Sequence, residues 1–478
     1  MNRVKLVQQL KRPSAGLYLV GSVTAVNLLL AAVSFLKDLS FAAYFGTSRS
    51  ADLVNTAFLL PESIGYNLVA AVISVAAVPT LSRLWSGKQT DAYVRTTLRM
   101  ALHASVFMLL LAFMLLMLRE PVLALSGYHD SHEVLPELKK LYTLLLASLP
   151  LFPLFAIGGA ALQASGSFYA AAAGPLLLNG LMLVASAWSG WTSAIEETGA
   201  VWFAWSIVGG AALMTVMVWT VWWRKLRRMG ISLHQGSLRG SKGNEAFGHE
   251  LGRMYKDFFP FLLLTLCLQA VYAVERMLAS NLGPGILAGL TYAYRVSQFP
   301  NWVFVAAVTS VLLPSLSRKS YAQSGFDGNE ARRELLRALK GTIAVMLPAA
   351  VLLYTFRGMI IELLFGRGAF DAQSVSITSE LLAGYSLSVV GQAISAVSLR
   401  YFIAEGRMLI PAIIYGATSL ITLLFDWLAV PHLGPSAIGY GSMIGWWANA
   451  ILMSVWVQRS FRYREAKLLV QVRKGRSG

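Results

Sequence analysis

Apolar residues along this chain run in long unbroken blocks, of which "FMLLLAFMLLML" (107–118) is typical. They do not alternate with polar residues as half-buried strands would. An α-helix rises 1.5 Å per residue, so about 20 apolar residues cross the roughly 30 Å hydrocarbon core of a bilayer. Twelve blocks reach or approach that length, at 16–46, 51–82, 98–118, 138–163, 168–189, 199–222, 258–282, 285–315, 337–356, 375–403, 408–430 and 435–458. Several exceed 25 residues and must tilt, kink or extend beyond the lipid. The pattern predicts an all-α polytopic membrane protein; a transmembrane β-barrel would show a period of two instead.

Composition agrees with the pattern. The 478 residues are 56% hydrophobic and 13% charged, with a mean hydropathy of +0.59. Soluble domains carry about 25% charged residues. The net charge of +17 would suit a nucleic-acid binder, but its placement argues against nucleic acid as a partner. Lys and Arg crowd alternate connections: Arg83 to Arg99, Arg224 to Lys256, Arg318 to Lys340, and the tail from Arg459. That is the positive-inside pattern, and it puts both termini in the cytoplasm. The basic N-terminus precedes an apolar run too long for a signal peptide, so a retained first helix is expected. One cysteine, Cys267, leaves no internal disulfide and no Cys-based metal site, and six scattered His form no ligand spacing. A GxxxxGK(S/T) phosphate loop is absent, as is any nucleophile–base pair. The chain is read as a transporter rather than an enzyme.

Residues 223–257 form the longest polar stretch, a basic cytoplasmic linker attracted to anionic lipid. It separates six spans in 1–222 from six in 258–460, with a basic cytoplasmic tail at 461–478. "AAVISVAAVPTLSR" (70–83) and "VAAVTSVLLPSLSR" (305–318) echo each other at matching places in the two halves. Each is a small-residue helix running into Pro and then Leu-Ser-Arg. A duplicated six-span unit explains this, and transporters built from repeats hold substrate near the repeat interface.

"FLKDLSFAAYFGTSRSADLVNTAFLLP" (35–61), "VERMLAS" through "LLPSLS" (274–317), "LLFGRGAFDAQS" (363–374) and the landmarks of 401–452 together resemble the MurJ/MviN lipid II flippases of the MOP exporter superfamily. The resemblance implies two six-helix lobes around a central cavity that opens alternately to either side. It further implies a polyprenyl-diphosphate-linked glycan as substrate, membrane lipids and cell-envelope biosynthesis proteins as partners, and an ion gradient or membrane potential as driving force. This chain departs from the family at several positions. Leu59 and Ala31 stand where family basic residues would. Glu62, Gly65 and Tyr66 follow Pro61, where the family has basic residues. Tyr294 and Gln298 replace acidic residues around Arg295. The cavity is therefore expected to be less basic than in the family, which fits lipid II less well than a related lipid-linked saccharide.

Charges within the apolar blocks are the candidate functional groups, since each costs roughly 2.5–3.5 kcal/mol at a bilayer centre on insertion scales. Lys37 and Arg295 occupy places of family arginines and would hold the pyrophosphate; Asp38, Asp52, Tyr294 and Gln298 are the further substrate-site candidates, with Asp38 and Asp52 read first as residues that orient helices or gate the cavity. Lys37 could instead pair with Asp38 or Asp52 to fix helix packing. Glu275, Thr422, Asp426, Ser442 and the carbonyl of Ile438 match positions that bind sodium in relatives. Thr422 lies four residues before Asp426, on the same helix face. Proton coupling through the two carboxylates is the alternative to a sodium site; beyond such a coupling ion no cofactor is expected. A small-molecule or drug-cation antiporter of the same superfamily is the alternative function.

Overall fold

In hydrocarbon no water satisfies a free backbone N–H or C=O, so crossing segments close their hydrogen bonds internally. The computed structural model describes residues 13–128, 134–231, 242–305, 307–309, 312, 316 and 328–476, with side chains from residue 25 onward except at 70, 71, 74–76, 242–258, 328, 329 and 463–476. Helix dominates, and no strand occurs among the described residues. The chain divides into two units. One comprises Met1–Gly46 and Leu53–Phe258, the other Thr47–Asp52 and Phe259–Gly478.

The first unit contains α1 (Pro13–Phe45), most of α2 (Arg49–Leu60), α3 (Ala70–Ser86), α4 (Thr90–Met117), the short α5 (Arg119–Leu123), α6 (Leu135–Leu146), α7 (Leu151–Ala164), α8 (Tyr169–Trp191) and α9 (Glu196–Arg228). Helix α8 packs against α1 and α9, while α7 packs against α3, α4 and α9. Lipid tails are as apolar as leucine, so such contacts depend on close approach and shared hydrogen bonds. Gly210 of α9 lies where a Cβ would meet the Leu178 backbone at 2.8 Å. Tyr93 donates its hydroxyl to the Ala161 carbonyl at 2.7 Å and accepts from Trp222 Nε1 at 3.0 Å. Lys225 Nζ reaches the end of α7, bonding the Ser165 carbonyl at 2.5 Å and the Ser167 hydroxyl at 2.7 Å. A cation there satisfies orphan carbonyls and the negative end of the helix dipole.

The second unit continues with α10 (Lys242–Ser280) from Phe259 onward, α11 (Ile286–Pro300), α12 (Gly328–Thr355), α13 (Arg357–Phe365), α14 (Ala372–Ala404), α15 (Leu409–Leu433) and α16 (Ser436–Arg476). Residues 242–257 of the basic linker thus belong to the leading part of a helix. Helix α14 is the hub, packed by α11, α12, α13 and α16. Its buried face is rich in Ser and Gly, including Gly384, Ser386, Ser388, Gly391 and Ser395. Gly384 brings α14 against the backbone of Gly439 on α16, with no room left for a Cβ. The serines bond their own helix: Ser386 Oγ to Leu382 O and Ser388 Oγ to Tyr385 O.

Nine helices among the described residues are long and apolar enough to cross a membrane. The remaining three expected spans deviate for separate reasons. The block 51–82 is broken by a π-helical segment at Pro61–Val69, leaving α2 with 12 residues and α3 with 17. The block 285–315 is broken by a second π-helical segment, Asn301–Val305, after a 15-residue α11. Helix α16 is continuous over 41 residues, but Gly, Ser and Trp dilute its hydropathy. The two π segments occupy corresponding places. One ends at Val69, directly before the echo 70–83; the other ends at Val305, where the second echo begins. Pro61 opens the first and Pro300 precedes the second. Proline removes an N–H and crowds the preceding turn, which is how helices come to widen locally. Much of 305–318 lies outside the described residues.

The adjacent glycines of α9 give a direct test of packing. Gly209 faces open space, whereas Gly210 has no room for a Cβ. Gly210→Ala should lower stability by about 1–3 kcal/mol through overpacking. Gly209→Ala should be neutral or raise it by up to about 1 kcal/mol. Thermal unfolding in detergent reads the difference, and equal midpoints would contradict the packing described.

Candidate functional site: paired carboxylates beside a polar cavity

Helices α10, α14 and α16 of the second unit converge on Glu275, which α10 carries. From α14 the Tyr385 hydroxyl donates to its Oε2 at 2.8 Å. From α16 the Ser442 hydroxyl donates to its Oε1 at 2.5 Å. Glu275 is 3% exposed, so these two bonds stand in for lost hydration. The neighbouring Arg276 is also buried, and it does not turn to Glu275. Its guanidinium lies 3.3 Å from the centroid of the Tyr272 ring and donates to the Tyr272 carbonyl at 3.3 Å.

Asp426 is the second carboxylate, on α15. It is fully buried, and neither carboxylate oxygen has a hydrogen-bond partner among the described residues. Helix α16 approaches so closely that a Cβ on Gly441 would overlap Asp426 Oδ1, and one on Gly445 would overlap Thr422 Oγ1. The i, i+4 pair Thr422 and Asp426 on α15 therefore seats against the i, i+4 pair Gly441 and Gly445 on α16. Thr422 donates to the Thr418 carbonyl at 3.2 Å. Ile438 lies buried in the first turn of α16, one turn before Ser442.

Unshared buried carboxylates are unfavourable unless a cation or proton accompanies them. The donors gathered here are all oxygens: two carboxylates and the hydroxyls of Thr422 and Ser442, with the Ile438 carbonyl on the same helix as Ser442. Hard cations take such ligands. Among the described residues no group of three or more His, Cys, Asp or Glu is placed to hold a metal ion. The cation residues expected from sequence are thus brought to one helix junction.

A cavity of about 390 Å³ opens beside this junction, lined by Glu275, Thr422 and Ser442 together with Tyr272, Tyr294 and Gln298. Tyr294 and Gln298, expected from sequence to face substrate, therefore share a wall with the cation residues. Lys37, Asp38, Asp52 and Arg295 do not line it. Lys37, in α1 of the first unit, is 5% exposed and its Nζ lies 2.8 Å from Asp38 Oδ1. Arg295 is half-buried on α11. Asp52 is fully buried and accepts from the N–H groups of Gly285 at 2.6 Å and Ala288 at 2.7 Å. It is the anionic cap of α11, a role that helix N-termini favour. Nearby, the Thr47 and Ser374 hydroxyls are 2.8 Å apart, and Asp371 caps α14 through Ser374 N at 2.8 Å. Arg367 turns back to the Leu364 carbonyl at 2.6 Å rather than to Asp371.

Sequence reasoning missed Tyr385, Gly441 and Gly445. No motif announces them. Tyr385 reaches Glu275 across 110 positions, and the glycines act through the side chains they lack. The i, i+4 spacing of Gly441 and Gly445, read against Thr422 and Asp426, was the available signal.

Comparisons with known proteins agree on one kinship. Residues 41–474 match the family model described as lipid II flippase MurJ. Relatives include the "probable lipid II flippase MurJ" of Rhizobium meliloti, 25% identical over 95% of this chain and 82% of the relative. The lipid II flippase MurJ of Burkholderia cenocepacia is 23% identical over 93% and 84%. Among solved structures, a lipid II flippase MurJ in an inward closed conformation superposes with a TM-score of 0.74 at 21% identity, over 91% of this chain and 87% of that one. An inward-facing multidrug resistance MATE transporter of the MOP superfamily gives the same TM-score at 15% identity, over 92% and 99%. The structural likenesses establish the shared fold.

The geometry generates two expected outcomes. Gly441→Ala should displace Asp426 and lower the thermal midpoint, because a methyl on that backbone and the carboxylate cannot occupy the same space; an unchanged midpoint would contradict the helix contact. The Ser374 N–H and hydroxyl hold the Asp371 carboxyl below its ordinary value. A depressed folded-state pKa gives stability that is present above the ordinary carboxylate value of about 3.9 and lost as pH falls through the lower one. The stability difference between wild type and Asp371→Ala should therefore narrow as pH is lowered from about 5 toward 2, in thermal melts across that range.

Proposed function

The chain belongs to the lipid II flippase MurJ family, and from that premise we propose how its residues serve transport. It is a multi-pass inner-membrane protein that moves a polyprenyl-diphosphate-linked glycan, lipid II or a related lipid-linked saccharide, across the bacterial plasma membrane. The observation that carries this reading is the extent of the family match, residues 41–474, which includes every candidate residue of the second unit. Alternating access through rocking of two repeats fits the echo between the two halves of the sequence. Both termini face the cytoplasm in this reading, supported by the basic connections.

Lys37 would bind the pyrophosphate. Its 2.8 Å partner Asp38 neutralises it until a phosphate oxygen competes for the ammonium. Arg295 would act with it. Glu275, Thr422, Asp426, Ser442 and the Ile438 carbonyl would take the coupling cation, sodium in the first instance. Support comes from Asp426, a buried carboxylate whose two oxygens have no partner among the described residues. A cation bound there favours whichever conformation holds α15 and α16 together, and a ligand shifts such an equilibrium by its differential affinity for the two states.

Proteoliposomes carrying a polyprenyl-diphosphate-linked glycan supply the test, with flipping read from the headgroup exposed to an external enzyme. Lys37→Ala should slow flipping at least about tenfold with the thermal midpoint retained, as expected for loss of a charge-assisted contact. Asp426→Asn should abolish any acceleration by a sodium gradient. Full flipping by Lys37→Ala would remove that residue from the substrate site, and an intact sodium response in Asp426→Asn would remove the cation from this junction.

A further inference from the structure

We propose that α13 lies along the extracytoplasmic headgroup boundary of the bilayer, with one apolar stripe sunk into lipid. Helix α12 ends at Thr355 and α13 restarts at Arg357. Only Phe356 interrupts them, at φ −100° and ψ 17°. Hydrogen bonding carries on through the break: the Phe356 N–H donates to the Leu352 carbonyl at 2.9 Å, and the Ile360 N–H to the Phe356 carbonyl at 2.8 Å. Leu352, Phe356, Met359 and Leu363 follow at i, i+4, i+7 and i+11, the spacing of a single helix face. All four are exposed, Met359 at 67% and Leu363 at 72%. The opposite side of α13 is buried through Ile361 and Phe365 and packs against α14. A polar residue, the exposed Glu362, stands beside the stripe and not within it. An exposed apolar face with a polar edge is the pattern of a helix that lies in a membrane surface.

Continuity, depth and recurrence each name lipid as the cover of this stripe. The stripe begins at Leu352, exposed on a helix long and apolar enough to cross a membrane, and runs on across Phe356. The last exposed cation of α12 is Lys340. With Lys340 at the inner boundary, Phe356 lies 16 residues further on, or about 24 Å of helix, still within roughly 30 Å of hydrocarbon. Met359 and Leu363 therefore reach the outer edge of the core and not open water, and any tilt of α12 lowers them further. The same arrangement recurs in the first unit. Helix α4 ends at Met117, Leu118 interrupts at φ −92° and ψ 17°, and α5 restarts at Arg119, the counterpart of Arg357. Met114, Leu118, Pro121 and Leu125 repeat the i, i+4, i+7, i+11 spacing and are all exposed, while Leu123 is buried as Ile361 is. Two connections of different sequence keep one apolar stripe, which a surface common to both, the bilayer, explains. Because α13 follows directly from α12 and packs on α14, its insertion ties the ends of both helices to the depth of the headgroups. Which leaflet receives α13 rests on the orientation proposed above; insertion itself does not.

Spin labels on the full chain in phospholipid nanodiscs test this, on a Cys267→Ser background, or Cys267→Ala if the serine variant fails to fold. Met359→Cys, Glu362→Cys and Leu363→Cys are labelled one at a time. Collision with oxygen, which concentrates in lipid, is compared with collision with a water-soluble nickel chelate. The oxygen-to-nickel ratio is expected to be severalfold higher at positions 359 and 363 than at 362, where nickel access should dominate. Nickel access at 359 and 363 equal to that at 362 would place the stripe in water and overturn the proposal. Shielding of 359 and 363 from both reagents would mean a protein cover, a second copy of the chain included, and would overturn it as well. Oxygen preference at all three positions would sink α13 wholly into the core, which also contradicts a helix lying along the boundary. No flipping assay enters, so the outcome is independent of the transport reading.

Discussion

A carboxylate with no hydrogen bond from the described residues, sealed in a helix contact that admits no Cβ, is the constraint around which the second unit is organised. Asp426 and Thr422 press against Gly441 and Gly445, and the same helix α16 sends Ser442 to Glu275. Close approach of helices in a membrane is stabilised by van der Waals packing and by shared polar contacts, because burial from lipid brings no hydrophobic gain. Here the approach serves a polar end. It buries Asp426 while leaving its oxygens without a hydrogen bond from the described residues, the arrangement on which the proposed cation site rests. The small-residue face of α14 belongs to the same arrangement: Gly384 and Gly391 let α16 lie against α14, and that contact positions both Ser442 and Tyr385 around Glu275.

The charges fall into two kinds. Buried Asp52 finds its partners at a helix end, as do half-buried Lys225 and exposed Asp371, so these three hold architecture. Glu275 is satisfied by two hydroxyls, Asp426 by nothing among the described residues, and Lys37 by Asp38. Capping charges cost little to keep because a helix terminus offers two or more fixed donors or acceptors. The others persist against a membrane penalty of some kcal/mol each, which is what the proposed exchangeable ligands would offset.

Much of this was legible in sequence. The helical class followed from block length, because hydrocarbon thickness sets a span and nothing else in a chain demands 20 or so apolar residues in a row. Glu275, Thr422, Asp426, Ile438 and Ser442 came through a family resemblance, and the fold gathers them at one helix junction. Where the long blocks are interrupted was not legible from their length. Pro61 and Pro300 were visible, but a proline marks a break without saying whether the helix ends, kinks or widens. Asp52 read as a residue that orients helices or gates the cavity, but its capping contact with Gly285, 233 positions away, leaves no local trace. The carboxamides of the cavity wall were not legible for the same reason: Asn301, Gln392 and Asn449 are ordinary residues in separate elements until packing sets them around one void.

The π segments connect these observations. Asn301 opens the second of them, and its side chain is what ties α14, through Gln392, to the cavity wall. A regular α-helix turns successive side chains by about 100°; the wider π turn shifts that register by part of a residue and re-aims the side chains beyond it. The first π segment lies at the corresponding place in the other half. There Tyr66 packs edge-on against Phe152 at 5.3 Å, and Gly65 leaves 2.8 Å for a Cβ against that same ring. The two halves thus share the irregularity while the side chains around it differ, an apolar aromatic seat in one and a polar pocket in the other. The same kind of helical irregularity thus carries different side chains in the two halves, rings around Tyr66 in one and carboxamides around Asn301 in the other.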